Sequence, residues 1–426
     1  MKKFLSTYQE AFGVLNYVAF LLVLVSLAFP WRFTQPLFAI WLISWLLEGR
    51  WASLSNFSCT RHTVPLLLMC GFVGWEALSL LWTQDLSTGT SELERHLPVF
   101  AILLVALFGG NHFYKAHRLK TAVVAGCLLA LLSYCVIIYW FVHTGEITRW
   151  NFSYWTFFAE GPIEHLIHRS DLCIVLIVSL LFTVDLYTYY KNRYPAVYTG
   201  LIAGSVICAL LASIVMTGSR TAIFLTPLLV CIVFFKLYNG RRTKEIALAV
   251  ITGAIVLIGI SANYNSRLKS VTADLTQLKE SGTEAIESTR EPRLQIYSCA
   301  LRHLDRYGVF GVGFGSSEAV LHELYVEDGL DLCAQSGYGI HNRYFKVLME
   351  MGPFALLFML FIVFGSPFFH SGPARHDTAY ICLAFGWSML TENVITMISA
   401  IYILFALVTL VEIEQRESDS PQPARP

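Results

Sequence analysis

The sequence predicts an all-α polytopic membrane protein with about twelve transmembrane helices and one large outward-facing insert. Three observations predict it. Of the 426 residues, 55% are hydrophobic and only 14% charged, with a mean hydropathy of +0.57, more apolar surface than one water-bounded core can hide. Apolar stretches recur at about the 20 residues that a helix needs to cross roughly 30 Å of hydrocarbon. One long polar interval, 262–342, interrupts them.

Taken in order, the apolar stretches lie near 12–30, 34–49, 64–82, 97–110, 119–141, 170–190, 196–216, 220–237, 245–261, 343–365, 378–391 and 395–412. The second, fourth and eleventh are short. The first follows Lys2 and Lys3, runs to spanning length without a small-residue cleavage pattern, and reads as a retained signal anchor. Cytoplasmic loops are enriched in Lys and Arg. Alternate loops carry Lys2 and Lys3, Arg50 and Arg61, Lys115 to Lys120, Lys191 and Arg193, Lys236 to Lys244, and Arg375. That alternation places both termini in the cytoplasm and the polar interval outside. The chain thus divides into helices one to nine (1–261), the outer loop (262–342), helices ten to twelve (343–413) and a polar, Pro-rich tail (414–426) expected to be disordered.

Zero formal net charge with no cationic face excludes nucleic acid as a main partner and leaves the lipid bilayer. The ten cysteines are scattered without Cys-x-x-Cys pairs, so most read as small core hydrophobes. Cys299 and Cys333 share the outer loop, where an oxidising compartment would permit a bridge; the sequence leaves that open. A second outer segment, 143–169, is rich in aromatics such as Trp150 and Trp155, read as an interfacial belt or as a wall for a lipid or sugar.

Within the outer loop, Pro292 marks a helix start. Leu294, Tyr297, Leu301 and Leu304 recur at helical spacing and predict an amphipathic helix lying on the membrane domain. Gly308 to Ser317 is glycine-rich, but it follows a helix rather than a strand, which favours a tight backbone turn over a nucleotide loop.

Candidate chemistry lies at three places. Arg220 opens a helix after Thr217-Gly218-Ser219, where free backbone N–H groups favour an anion; a snorkelling anchor is the simpler alternative. Arg293 begins the loop helix, as an anion ligand or a solvated charge. His341 sits where the loop enters the next apolar stretch, able to act as a general base or simply to be structural. Asn342 is positioned to fix the imidazole or a substrate hydroxyl, with Tyr344 and Glu350 beside it, while Lys346 and Glu350 read as an ordinary i, i+4 pair. Arg343 either contacts an acceptor phosphate or snorkels, and His168, near the sixth span, has no firm role beyond a place near the acceptor path.

Taken together and in order, these motifs resemble the O-antigen ligase and O-antigen polymerase superfamily. The resemblance rests on Gly218-Ser219-Arg220-Thr221-Ala222, on Arg293-x-x-x-Tyr297 leading to Gly311-Val312-Gly313-Phe314-Gly315, and on His341-Asn342-x-Tyr344 with Glu350-x-Gly352. Leu81-Trp82 with Asp85, and Thr391-Glu392-Asn393, complete it. It implies an inverting, metal-independent glycosyltransferase of the all-helical, GT-C-like membrane class in the bacterial inner membrane, without a cofactor. Its donor would be a glycan on undecaprenyl diphosphate, reached from the periplasm. By the same resemblance Arg220 and Arg293 would bind the diphosphate, His341 would activate the acceptor hydroxyl, and Ser219, Asn342 and Tyr344 would support them. The acceptor is lipid A core for a ligase, or a carrier-linked glycan for a polymerase. A protein O-oligosaccharyltransferase is a further possibility, and a flippase or transporter the reading from another class; the latter predicts charge deep in several spans, whereas the notable charges here cluster at the outer boundary.

Overall fold

The computed structural model describes residues 2–49, 60–97, 100, 113–144, 167–217, 225, 228–232, 292–393 and 398–419. Their regular structure is helical, with no strand among the described residues. The predicted spans at 220–237 and 245–261, most of that at 97–110, and the aromatic segment after Thr144 lie largely outside them.

Among the described residues, six helical segments are long and apolar enough to cross a bilayer: Tyr8–Ser26, Arg61–Trp82, Ala116–Phe141, Arg169–Tyr190, Ala196–Ile214 and Arg343–Phe369. They belong to helices α1 (Lys2–Ser26), α3 (Val64–Ser79), α5 (Ala116–His143), α6 (Arg169–Tyr190), α7 (Ala196–Met216) and α11 (Arg343–Gly365). The shorter α2 (Trp31–Leu47) and α12 (Gly372–Ser388) have 17 residues each, and α13 spans Ile398–Asp419. This is a helical membrane protein.

The bundle is organised around α6, buried almost continuously from Ser170 to Val184. α5, α7, α12 and α13 pack around it, and α1 pairs with α2 and α5. In hydrocarbon no water satisfies a stray polar group, so polar side chains must pair inside the bundle. Asn16 does so by donating to Trp41 O and Ser44 Oγ, both at 3.1 Å. Trp41 Nε1 donates to Tyr114 OH at 3.1 Å, and Tyr114 OH donates back to Asn16 Oδ1. Conversely, α7 exposes Val197, Tyr198, Leu201 and Ile202, a surface suited to lipid rather than water.

At one end Lys120 Nζ lies 2.7 Å from Asp377, 2.8 Å from Glu414 and 3.6 Å from Asp185, tying α5 to α12, α13 and α6. The pairing moves a predicted boundary. The tail expected to be disordered from 414 is helical to Asp419, with Glu414 and Gln415 buried, because these polar side chains have partners inside the bundle.

The described part of the polar interval, 292–342, forms a small helical layer: α8 (Pro292–Arg302), α9 (Ser317–Glu327) and α10 (Asp331–Ser336). The helix at 292 forms as expected, but its buried face is not the predicted stripe. Leu301 and Leu304 are exposed, while Ile296, Cys299 and Ala300 enter a separate core with Tyr307, Leu321, Leu324 and Met349. The stripe assumed a longer helix; α8 ends at Arg302, and Leu304 begins a 3-10 turn. Cys299 and Cys333 are both buried free thiols in this core, so the permitted bridge is not formed. Cys333 Sγ instead donates to Gln295 Oε1 at 3.4 Å.

Candidate active site

His341 is placed by the helix it precedes. Asn342 caps α11, its side chain accepting from Phe345 N at 3.1 Å while its amide donates to Leu390 O at 2.9 Å. Arg343 N donates to Met389 O at 2.9 Å, and Tyr344 OH to Gly386 O at 2.8 Å. The entry to α11 is thereby fixed on the end of α12. Tyr297 of α8 stacks on Phe345 with centroids 5.4 Å apart and donates its hydroxyl to His341 O at 3.2 Å. With both ends of its amide engaged in this way, Asn342 does not hold the imidazole, correcting that expectation.

Glu392 holds it. His341 Nδ1 lies 3.4 Å from Glu392 Oε2, and Arg293 Nη2 lies 3.2 Å from Glu392 Oε1. Arg293 Nη1 also donates to Thr391 O at 3.3 Å. One carboxylate therefore joins two of the predicted site residues, which lie 48 positions apart in the sequence. Burial pushes the Glu392 carboxyl up, but the His341 hydrogen bond and the charges of Arg293 and His168 outweigh it and hold the group below the usual glutamate value. His168, the N-cap of α6, thus belongs to the electrostatic surroundings of Glu392. The His341 side chain remains 41% exposed and Arg293 26% exposed, so both can be reached from solvent.

Arg220 and Ser219 lie outside the described residues, as does the rest of Gly218–Ala222.

Behind His341 lies a buried ionic layer. Arg343 is fully buried, donating from Nη2 to Glu76 Oε1 at 2.8 Å; Glu76 Oε2 meets His96 Nδ1 at 2.5 Å. Arg343 therefore neither snorkels nor faces an acceptor. Lys346 donates to both Glu92 oxygens, at 2.6 and 2.9 Å, and stands 3.6 Å from Glu350, so the expected i, i+4 pair is the weaker half of its contacts. Glu350 Oε1 accepts from Ser317 Oγ at 2.6 Å. Burial pushes Glu92 up, but the adjoining Lys346 prevails and lowers it. Glu76, His96, Glu92 and Glu392 carried no role in the sequence reading. An acid inside an apolar stretch was the available signal for Glu76, and Thr391-Glu392-Asn393 had been noted only as part of a resemblance.

The glycine-rich turn supports this layer from the side. α11 breaks at Gly352, with φ +79° and ψ 178°, just before Pro353. Pro353 has no N–H, so the Met349 carbonyl loses its helical donor. Val312 N supplies one at 2.9 Å, and Gly313 N serves Glu350 O at 2.9 Å. A Cβ on Gly311 would fall 2.3 Å from the Glu350 carbonyl carbon, and one on Gly352 would fall 2.0 Å from Val309 O. The turn is a backbone clasp, agreeing with the tight turn expected there.

Below the ionic layer, α3, α11, α12 and α13 enclose an apolar cavity of about 130 Å³, lined by Phe72, Met359, Ile381, Phe385 and Val408. Glu76 and His96 also line it.

Residues 203–360 match a family model described as O-antigen ligase. The match supports the resemblance to the O-antigen ligase and polymerase superfamily that the motifs carry. The matched stretch takes in Arg220, Arg293 and His341. The match does not separate ligase from polymerase. No curated protein matches the sequence.

Proposed function

We propose that the protein is an O-antigen ligase: an inverting, metal-independent transferase that moves polysaccharide from undecaprenyl diphosphate to the lipid A core oligosaccharide. In this reading about twelve helices span the bacterial inner membrane, both termini are cytoplasmic, and the 262–342 insert and its site face the periplasm. The observation that carries the reading is Glu392 shared between His341 and Arg293.

The chemistry follows from that sharing. Glu392 accepts the Nδ1 proton of His341 and so leaves Nε2 as the basic nitrogen. Nε2 takes the proton of the acceptor hydroxyl, whose oxygen bonds to the anomeric carbon as the bond to the diphosphate oxygen breaks. Attack from the face opposite the leaving group inverts the centre. Negative charge then gathers on the diphosphate. Arg293, with Arg220, supplies planar guanidinium donors for it without requiring a metal. Ser219 and the Arg220 helix start add backbone and hydroxyl donors, while Asn342 and Tyr344 fix the entry of α11. The apolar cavity under Glu76 suits part of a lipid chain.

Deleting the gene and examining the surface glycan tests the assignment. A ligase leaves full-length carrier-linked polymer and bare lipid A core. A core carrying a single repeat unit would instead assign the polymerase reaction, with a carrier-linked glycan as acceptor.

A further inference from the structure

The small core of the 292–342 layer contains a cluster that the transfer reaction does not use. Cys299 and His303 are spaced i, i+4, with His303 just past the last turn of α8, and Asp328 caps the C-terminus of α9. The Cys299 thiol, a His303 ring nitrogen and an Asp328 carboxylate oxygen all lie within 4.8 Å of one another. His303 Nε2 stands 3.0 Å from Asp328 Oδ1.

We propose that Cys299, His303 and Asp328 form a zinc site that staples α8 to the end of α9.

The donor set selects the ion. A thiolate and an imidazole with one carboxylate suit zinc, whereas calcium and magnesium take oxygen ligands. Zinc bonds of about 2.0–2.3 Å arranged tetrahedrally set neighbouring ligand atoms roughly 3.3–3.7 Å apart. The His303–Asp328 separation is already near that range, and the Cys299 thiol lies within 4.8 Å of both partners. Three protein ligands leave a fourth position for water, which the half-buried His303 side admits. Arg302 Nη2 lies 3.0 Å from Asp328 Oδ2, the oxygen turned away from His303, and so orients the carboxylate from behind.

Burial raises the Asp328 carboxyl, but hydrogen bonds from His303 and Cys299 and the charge of Arg302 outweigh it, keeping the ligand ionised. Burial first, and Asp328 second, push the Cys299 thiol up to about 12. Such a thiol is a poor nucleophile, which argues against reading the three residues as a Cys-His-Asp hydrolytic triad. Zinc binding replaces the thiol proton: one Zn–S bond forms, one S–H bond breaks, and the proton passes to water, so affinity rises with pH. Cys299, the ligand on α8, lies about 9 Å along the helix axis from Arg293, given the helical rise over six residues. The staple would steady the helix that carries Arg293 without touching the reacting atoms.

The test uses the full-length, tag-free protein in detergent, stripped with chelator and titrated with Zn²⁺ against a chromophoric competitor. One tightly bound zinc per chain is expected, with affinity weakened at least about 10-fold in each of Cys299→Ser, His303→Ala and Asp328→Asn. Zinc should raise the thermal midpoint of the wild type and leave that of the variants unmoved. Equal binding by wild type and all three variants, or no tight site in the wild type, overturns the proposal. Co²⁺ titration of the wild type decides the matter even if a variant does not fold: a thiolate charge-transfer band is expected, and a spectrum without it excludes Cys299 as a ligand.

Discussion

Arg343 follows His341 by two positions and is wholly buried, with its guanidinium donating to Glu76 Oε1 at 2.8 Å. This end of the bundle is therefore charged on two levels: a reachable layer of His341, Arg293 and Glu392, and a hidden one beneath. Removing one member of a buried pair strands the other in a medium that cannot solvate it. Arg343→Ala or Glu76→Ala should cost about 3–5 kcal/mol, read as a lowered unfolding midpoint in detergent. Wild-type stability in both variants would mean that the pair carries no structural weight.

His341→Ala should abolish transfer while preserving the folded protein and its affinity for the lipid diphosphate. A correctly placed general base is worth on the order of 10²–10⁴ in rate. Purified variant turning over carrier-linked glycan at the normal rate would remove His341 from the base role. Glu392→Gln keeps the shape but not the charge, and should slow transfer on the order of 10²-fold; an unchanged rate would show that Glu392 does not orient the imidazole.

Arg293→Ala should weaken donor binding, and Arg220→Ala likewise. Arg293→Lys should recover only part of the loss, since an ammonium cannot present the two parallel donors of a guanidinium. Titration with an undecaprenyl diphosphate analogue measures this, and unaltered affinity would take either arginine out of the diphosphate site.

Gly352→Ala and Gly311→Ala should each destabilise the protein by more than about 1–3 kcal/mol, since a strained positive φ is compounded by backbone overlap. Proteolysis within 308–316, compared between wild type and variant, reports whether the clasp opens. Equal resistance would contradict it.

The depressed carboxyl of Glu392 gives a pH signature. Its contribution to stability is complete above the usual glutamate value of 4.5 and falls away as pH drops through the lower folded value, because the unfolded chain takes up the proton first. In the wild type the thermal midpoint should thus decline below about pH 4.5 more steeply than in Glu392→Gln. Parallel pH curves would show that the carboxylate is not held in its ionised form.

Much of this was legible in the sequence. Apolar length marks spans such as Ala116–Phe141 and Arg343–Phe369, since hydrocarbon thickness imposes it directly. Arg293 and His341 stood out because charge at a membrane boundary needs a reason. The partners of those residues did not stand out. Glu392 acts through proximity created by the turn after α12, and Lys346 chose Glu92 over its helical neighbour because both lie buried between α4 (Leu86–His96) and α11. The face of α8 was misread for a related reason: which side of a short helix is covered depends on where it ends and what lies opposite. Local periodicity contains neither.

The buried ion pairs also impose an order on biosynthesis. Arg343 follows Glu76 by 267 residues, and Lys346 follows Glu92 by 254. A nascent chain thus carries two carboxylates, on α3 and α4, long before the ribosome makes their counter-ions. The N-terminal part lacks both of these partners until α11 arrives. Chains that stop short of Arg343 should hold Glu76 and Glu92 without the Arg343 and Lys346 cations that pair with them in the finished protein.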